Sequence, residues 1–140
     1  MTGPTTAAPP QNGYHFAGTE DHVRVVSVVG DAGDRDKITV TLMIDPGYHI
    51  NANPASYKNL IPTTLTFDGY DLTRVIYPKP HRFKSKFAGE ALDVYQGTEL
   101  IIALFPSGSL KPDTSLRGTL LAQACTDEIC LPPAEITFSN

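Results

Sequence analysis

Apolar residues in this chain recur at every second position, and no segment longer than about ten residues repeats them with a helical period. The clearest example runs from Lys37 to Asp45, where one face carries only aliphatic side chains and the other begins with a lysine and two threonines. Strands with one buried face show this alternation. The Val-rich segment His22 to Val29 also alternates, but its phase shifts at Val25-Val26, which predicts a β-bulge. The pattern predicts an all-β fold.

Short segments of the same kind, separated by turn signals, continue along the rest of the chain. One of them, Glu99 to Phe105, is apolar on both faces, as expected of a central strand. Together they predict an immunoglobulin-like antiparallel β-sandwich, although the tryptophan and the distant cysteine pair of antibody domains are missing. We expect residues 1–18 to be a disordered tail and residues 19–140 to form one domain. The other predicted strands are Thr63–Asp68, Thr73–Tyr77, Ala91–Tyr95, Arg117–Cys125 and Ala134–Phe138.

Charge and composition argue against several classes of partner. The formal net charge is -4 and the basic residues do not form runs, so neither a nucleic-acid surface nor a polybasic membrane anchor is expected. No apolar stretch reaches the roughly 18 residues of a membrane span, and no secretion signal is recognised at the start. A domain of this size buries a sufficient core without help from a disulfide.

The two cysteines of the chain, Cys125 and Cys130, are separated by only four residues. A disulfide between them would close a ring of about six residues, which stabilises a protein by only roughly 2 kcal/mol. Residues 126–129 are predicted to form a hairpin loop that places the two cysteines opposite each other. Three interpretations stay open at this point: a redox-active disulfide, a structural disulfide, or part of a metal site. The metal site is disfavoured because the four histidines are not spaced like ligands.

The residues around the pair set its expected chemistry. Cys125 falls on the mixed face of its strand, so we expect its thiol to lie close to solvent or under a thin cover. Asp127 and Glu128 lie in the loop, where negative charge disfavours a thiolate, although the same residues also suit a plain solvated loop. No basic residue lies within the motif, which favours a relay whose partner supplies the activated thiolate. Pro132 and the proline after it lack N–H donors and should leave the edge beside the thiols incompletely paired.

Three segments carry a resemblance to a known family. Gln123–Cys125 and Cys130–Pro133 resemble the active-site hairpin in the N-terminal periplasmic domain of DsbD, a family of transmembrane thiol–disulfide interchange proteins. The stretch Gly47–Pro54, with the sequence Gly-Tyr-His-Ile-Asn-Ala-Asn-Pro, is similar to one common in those domains. Phe87–Glu90 lies about where the family carries an aromatic cap loop over its cysteines. The resemblance covers most of the chain outside the N-terminal tail.

The resemblance implies a function that the residues alone leave open. Members of the family have an immunoglobulin-like fold and receive two electrons from a thioredoxin-like C-terminal domain of the same protein. They pass these electrons to periplasmic clients such as disulfide isomerases and the reductants of cytochrome c maturation. We therefore expect a monomeric periplasmic thiol–disulfide oxidoreductase, tethered to the inner membrane or exported by itself, that needs no metal or organic cofactor. By the same analogy Cys130 would be the attacking thiol and Cys125 the resolving one.

The family pattern also suggests roles for residues around the pair. Phe87 would shield the cysteines and swing away when a partner docks, the alternative being a core or strand-flanking aromatic. Members of the family carry acidic residues before this aromatic, but the matching positions here are Ser85 and Lys86. A lysine favours a thiolate, which is the opposite effect. Asp127 and Glu128 are the candidates to take over proton handling.

Simpler interpretations remain beside these roles. His49 is a candidate proton donor, but a histidine in a turn or at a sheet edge is the plainer interpretation. Asn51 and Asn53 are expected to be structural, fixing a loop before Pro54 through side-chain-to-backbone hydrogen bonds. The rival to disulfide exchange as a whole is a non-enzymatic immunoglobulin-like binding module whose hairpin is merely cross-linked.

Overall fold

The computed structural model describes residues 18–31, 36–84, 89–111 and 115–140. Within these residues the chain forms one short 3₁₀ helix, Thr19–Asp21, and otherwise only strands, turns and loops. The strands are β1 (Val23–Asp31), β2 (Lys37–Ile44), β3 (His49–Asn51), β4 (Thr64–Phe67), β5 (Arg74–Ile76), β6 (His81–Lys84), β7 (Ala91–Tyr95), β8 (Thr98–Leu104), β9 (Arg117–Ala122), β10 (Ala124–Cys125) and β11 (Ala134–Ser139).

The strands pair into three antiparallel sheets. Sheet A has the order β1-β2-β8-β5, sheet B the order β10-β3-β7-β6, and sheet C the order β11-β9-β4. In β2 the side chains alternate in burial along most of the strand, as the sequence predicts. The pairing of β1 with β2 shifts between Val25 and Ser27, which confirms the predicted bulge.

The inner faces of the sheets share one apolar core. Aliphatic side chains from all three sheets belong to a single buried cluster, and the Phe67 ring links sheet C to the end of β8 by packing 5.1 Å from the Phe105 ring. Each fully buried aliphatic or aromatic side chain contributes about 1.5–3 kcal/mol to folding. The arrangement confirms the predicted antiparallel sandwich, with β8 in an interior position of its sheet.

The chain passes from one sheet to another at two points, and these two points position the functional region. A turn from Asp45 to Tyr48, closed by a 3.1 Å backbone hydrogen bond, carries the chain from β2 in sheet A to β3 in sheet B. Gly47 adopts a φ of 86° in this turn, a conformation that favours glycine. The segment predicted as one strand from Arg117 to Cys125 is interrupted at Gln123, so β9 pairs in sheet C and β10 pairs in sheet B.

Other details differ from the sequence prediction. The short strands β3 and β6 were not expected, because β3 has only three residues and β6 carries mostly polar, exposed side chains. The predicted tail of residues 1–18 lies outside the described residues except for Gly18, whose N–H bonds the Asp21 carboxylate at 2.9 Å, so the tail stays a prediction. In the part of the chain that the structure describes, no helix is long and apolar enough to cross a membrane.

Candidate functional site

The two cysteines form a disulfide across a β-hairpin. Cys125 and Cys130 are directly opposed, with their Cα atoms 4.0 Å apart and their sulfur atoms bonded. Backbone hydrogen bonds of 2.7 and 2.8 Å join the residues immediately inside and outside this pair. The cysteines therefore occupy a non-hydrogen-bonded position of an antiparallel ladder, where side chains approach most closely. This confirms the predicted hairpin and explains why two cysteines at this spacing reach each other.

The two halves of the disulfide differ in exposure. Cys125 is only 5% exposed, whereas Cys130 is exposed. Of the two expected positions of Cys125, close to solvent or under a thin cover, the first is therefore wrong: the strand breaks at residue 123, β10 pairs with β3, and Cys125 is buried. A nucleophile from another molecule meets the Cys130 side of the bond first, and Cys125 is then the leaving sulfur.

The loop between the cysteines is ordered by one hydroxyl. Thr126 Oγ1 accepts hydrogen bonds from the backbone N–H groups of Glu128 at 3.1 Å and Ile129 at 3.0 Å. A threonine hydroxyl in this position mimics a backbone turn. The loop presents the Ile129 side chain, which is 56% exposed, directly beside Cys130.

The arm that follows the second cysteine is held by two backbone hydrogen bonds, from Leu131 N–H to Ala124 and from Thr19 N–H to Pro132, and by two side chains. The fully buried Thr19 donates its hydroxyl hydrogen to the carbonyl of Pro132 at 2.7 Å and accepts the N–H of Ala124 at 2.9 Å. Gln123 Nε2 donates to the carbonyl of Leu131 at 3.1 Å. The predicted gap in backbone pairing is present, but Thr19 and Gln123 fill it. Each bond to a buried backbone group avoids a desolvation cost of about 1–3 kcal/mol.

His49 lies next to the buried cysteine. In the pairing of β3 with β10, His49 is directly opposite Cys125, and its side chain is 4% exposed. The ring packs 4.2 Å from the Phe83 ring of β6 at an interplanar angle of 40°. Burial lowers the pKa of His49 below its ordinary value, and the nearby Asp127 carboxylate only partly opposes this effect. The imidazole is therefore neutral at pH 7.

A cleft of about 580 Å³ opens over the disulfide. Its walls include both cysteines, Ile129, Leu92 of β7, and Tyr57 and Leu60 from the loop between β3 and β4. The Tyr57 hydroxyl donates to the Glu90 carboxylate, which joins this loop to the residues just before β7. A mostly apolar depression containing one reactive bond is the usual form of a binding site.

The loop that forms one wall is fixed as the sequence predicts. Asn51 Nδ2 donates to the carbonyl of Ile61 at 2.9 Å, and Asn53 Nδ2 donates to the carbonyl of Thr63 at 2.8 Å. The Asn53 N–H also donates to the hydroxyl of the buried Tyr95 at 2.9 Å. The structural interpretation of Asn51 and Asn53 is confirmed, although the carbonyls that their side chains bind follow Pro54 instead of preceding it.

Comparison with known proteins identifies the family. The sequence profile of the family described as thiol:disulfide interchange protein DsbD, N-terminal, matches residues 18–140. The chain belongs to the DsbD N-terminal family. It is thus a thiol–disulfide interchange domain, which confirms the resemblance seen in the cysteine hairpin.

Two solved structures resemble this member of the DsbD N-terminal family. The reduced DsbD N-terminal domain of Neisseria meningitidis is 18% identical, with a TM-score of 0.56 over 81% of this chain and 82% of that one. The N-terminal periplasmic domain of ScsB from Proteus mirabilis is 19% identical, with a TM-score of 0.59. That match covers 84% of this chain but only 46% of the ScsB chain. A search of curated proteins finds no match. The immunoglobulin-like fold is confirmed.

The predicted site residues of this DsbD N-terminal domain fall into two groups. Asp127 lines a second hollow of about 320 Å³ together with His49 and Phe83, and Glu128 is an exposed residue at the edge of the main cleft. The cap candidate Phe87 and its neighbour Lys86 lie outside the described residues. Within the described residues, no group of three or more His, Cys, Asp and Glu side chains is placed to hold a metal ion.

Sequence reasoning missed several residues of the site. Thr19 was the first residue of the predicted domain and carried no local signal for a contact with the hairpin more than a hundred residues later. Tyr57 and Leu60 lie in a long loop without strand pattern, and only the folded arrangement brings them to the cleft. The exposed isoleucine in an otherwise polar hairpin loop was the one signal available in the sequence.

Proposed function

We propose that this domain carries two electrons from a thioredoxin-like donor to periplasmic client proteins through the Cys125–Cys130 disulfide. The observation that carries the proposal is the asymmetry of the bond, in which an exposed sulfur at the mouth of a cleft is joined to a buried one. An exposed disulfide of a closely spaced pair suits exchange, whereas structural disulfides resist it.

The exchange proceeds in two balanced steps. A donor thiolate attacks Cys130 Sγ, the bond between Cys130 and Cys125 breaks, and Cys125 leaves as a thiolate that takes up a proton. The second thiol of the donor loses its proton and attacks the donor's first sulfur, which releases Cys130 as a thiolate. The donor is oxidised to a disulfide and this domain is reduced by two electrons. The same steps in reverse reduce an oxidised client.

The cleft offers the donor a docking surface. The exposed Ile129 lies beside Cys130, and Tyr57 and Leu60 line the same cleft. Apolar and aromatic residues at the centre of an interface usually carry most of its binding energy.

Family membership supports the remaining parts of the proposal. The ScsB relative is described as an N-terminal periplasmic domain, and a periplasmic location leaves this domain within reach of disulfide isomerases and cytochrome c maturation reductants as clients. The donor would be a thioredoxin-like domain of the same protein or of a separate one. The domain acts as a monomer, tethered to the inner membrane or free. Phe87 remains the candidate for a cap over the thiols, and Lys86 the candidate for favouring a thiolate there.

The hydrogen bonds of the hairpin also argue against a purely structural disulfide. Thr19, Thr126 and Gln123 hold the loop and both arms by bonds that do not involve sulfur. Opening a ring of this size removes only roughly 2 kcal/mol of stability. The hairpin therefore keeps its shape when the pair is reduced, as a recurring exchange reaction requires.

A redox titration tests this proposal. The domain is equilibrated in glutathione buffers of graded potential, its free thiols are alkylated, and the oxidised fraction is measured by mass. We expect a midpoint between about -120 and -270 mV, the range of exchange catalysts, with the fold retained in both states by circular dichroism. A midpoint far below about -300 mV, or unfolding on reduction, would support the non-enzymatic binding module instead.

A further inference from the structure

His49 is a buried titratable group that the exchange mechanism described above does not use. It is directly opposite Cys125 on adjacent antiparallel strands, and directly opposed side chains have Cβ atoms about 4.5–5.5 Å apart. Both residues lie on the wall of the cleft. A ring nitrogen of a neutral imidazole accepts a proton, so His49 is a candidate base beside Cys125.

The surroundings orient the imidazole and favour its neutral form. The Phe83 ring packs against it from β6, and the uncharged Gln96, which follows β7, lines the same hollow. Besides the cysteines, the titratable groups that line the two hollows together with His49 are Asp127 and Glu128 of the hairpin loop, Tyr57 and Tyr48. Burial lowers the pKa of His49 and Asp127 acts against this shift, so the ring is a neutral base at pH 7.

The buried cysteine requires help with its proton. Cys125 is enclosed, and the carboxylates of the hairpin loop are close by, so burial and like charge both oppose a thiolate there. Yet Cys125 must become a thiolate each time it resolves a mixed disulfide at Cys130. A neutral imidazole beside the thiol can accept this proton, as in other sites where a histidine activates a cysteine.

Resting on the proposed function, we propose that His49 is the base that takes the thiol proton of Cys125 when Cys125 resolves the mixed disulfide. The neutral imidazole accepts the proton, and the Cys125 thiolate attacks Cys130 Sγ to form the intramolecular bond. The bond between Cys130 and the client sulfur breaks, and the client leaves as a thiolate that is protonated by the imidazolium or by water. In the opposite direction the imidazolium returns the proton to the departing Cys125.

Ring closure measured with a small reagent tests the proposal without a protein partner. The reduced domain is mixed with an aromatic nitrobenzoate disulfide, whose coloured thiolate is released once when Cys130 is modified and again when Cys125 closes the ring. We expect His49→Gln to slow the second release on the order of a hundred-fold, the lower range for general base catalysis, and to leave the first unchanged. The matched control is His81→Gln, because His81 is an exposed histidine of the same sheet.

The pH profile separates a base from a structural residue. Between about pH 8 and about pH 6.5, ring closure in the unsubstituted domain should keep most of its rate, because His49 stays neutral. In His49→Gln the rate should fall about tenfold per pH unit, because only the ionised fraction of Cys125 then reacts. Equal second-phase rates and parallel profiles in the two proteins would overturn the proposal.

A spectroscopic titration covers the case in which His49→Gln does not fold. In the reduced domain, the imidazole resonances of His49 should titrate with a different midpoint from those in Cys125→Ala, because the neighbouring thiol is then absent. Identical midpoints would overturn the proposal. A failure of the proposed function would show differently, since the domain would then not exchange with a thioredoxin-like donor although its ring closure still depended on His49.

Discussion

Replacing Cys130 with serine is expected to reduce formation of a covalent complex with a thioredoxin-like protein by roughly a thousand-fold or more, because serine cannot form the intermolecular bond. Cys125→Ser should instead accumulate that complex. The reason is the difference in exposure, since Cys130 is exposed at the cleft and Cys125 is 5% exposed. Without Cys125, the mixed disulfide at Cys130 lacks the thiol that would resolve it from within the domain.

The measurement uses a donor whose resolving cysteine has been replaced, so that the complex cannot be released from the donor side. The remaining cysteine of each variant is first converted to a nitrobenzoate mixed disulfide, and the complex with the donor is followed by non-reducing electrophoresis and intact mass. Both variants should be folded, since the small ring contributes only roughly 2 kcal/mol. Equal yields, or a higher yield in Cys130→Ser, would show that the assignment of the attacked sulfur is reversed.

Ile129→Asp is expected to lower the second-order rate of exchange with a thioredoxin-like donor several hundred-fold and to leave reduction by dithiothreitol nearly unchanged. The isoleucine is 56% exposed beside Cys130 on the wall of the cleft, where a docked partner would remove it from water. Loss of a central apolar contact, with a carboxylate placed in the same desolvated position, costs about 3–4 kcal/mol. A small reductant does not use that contact and reports only on the disulfide.

The same change elsewhere on the surface provides the control. Leu100 is 52% exposed on β8 in sheet A and does not line the cleft, so Leu100→Asp should exchange at the rate of the unsubstituted domain. If both aspartate variants slow exchange equally, a general charge effect explains the result and the docking surface is misplaced. If Ile129→Asp slows reduction by dithiothreitol to the same extent, the substitution disturbs the disulfide itself.

The sequence was sufficient for those parts of the molecule that depend on local pattern. Alternation in Lys37–Ile44 predicts the burial of β2 because a strand turns every second side chain toward the core. The phase shift at Val25-Val26 predicts the bulge, since an extra residue must be accommodated there. The cysteine hairpin is local as well, because its loop of four residues fixes which side chains are opposed.

The parts of the site that the sequence did not predict depend on distant contacts. With residues 117–125 as one strand, Cys125 is expected close to solvent or under a thin cover, whereas the break at Gln123 moves β10 to another sheet and Cys125 is buried. Opposition of His49 and Cys125 follows from the register of β3 with β10, which no local pattern sets. Thr19 contacts the hairpin only because the fold brings the start of the domain next to Ala124.

The central claim is that the disulfide undergoes thiol–disulfide exchange with another protein. Stoichiometric exchange with one donor tests this claim most directly. Oxidised domain and an equimolar amount of reduced thioredoxin-like protein are mixed, quenched with acid and alkylated at intervals, and both masses are followed. We expect two thiols to appear in this domain as two disappear from the donor, until the ratio set by the two reduction potentials is reached. A domain that gains no thiols over hours, while dithiothreitol still reduces it, would contradict the account.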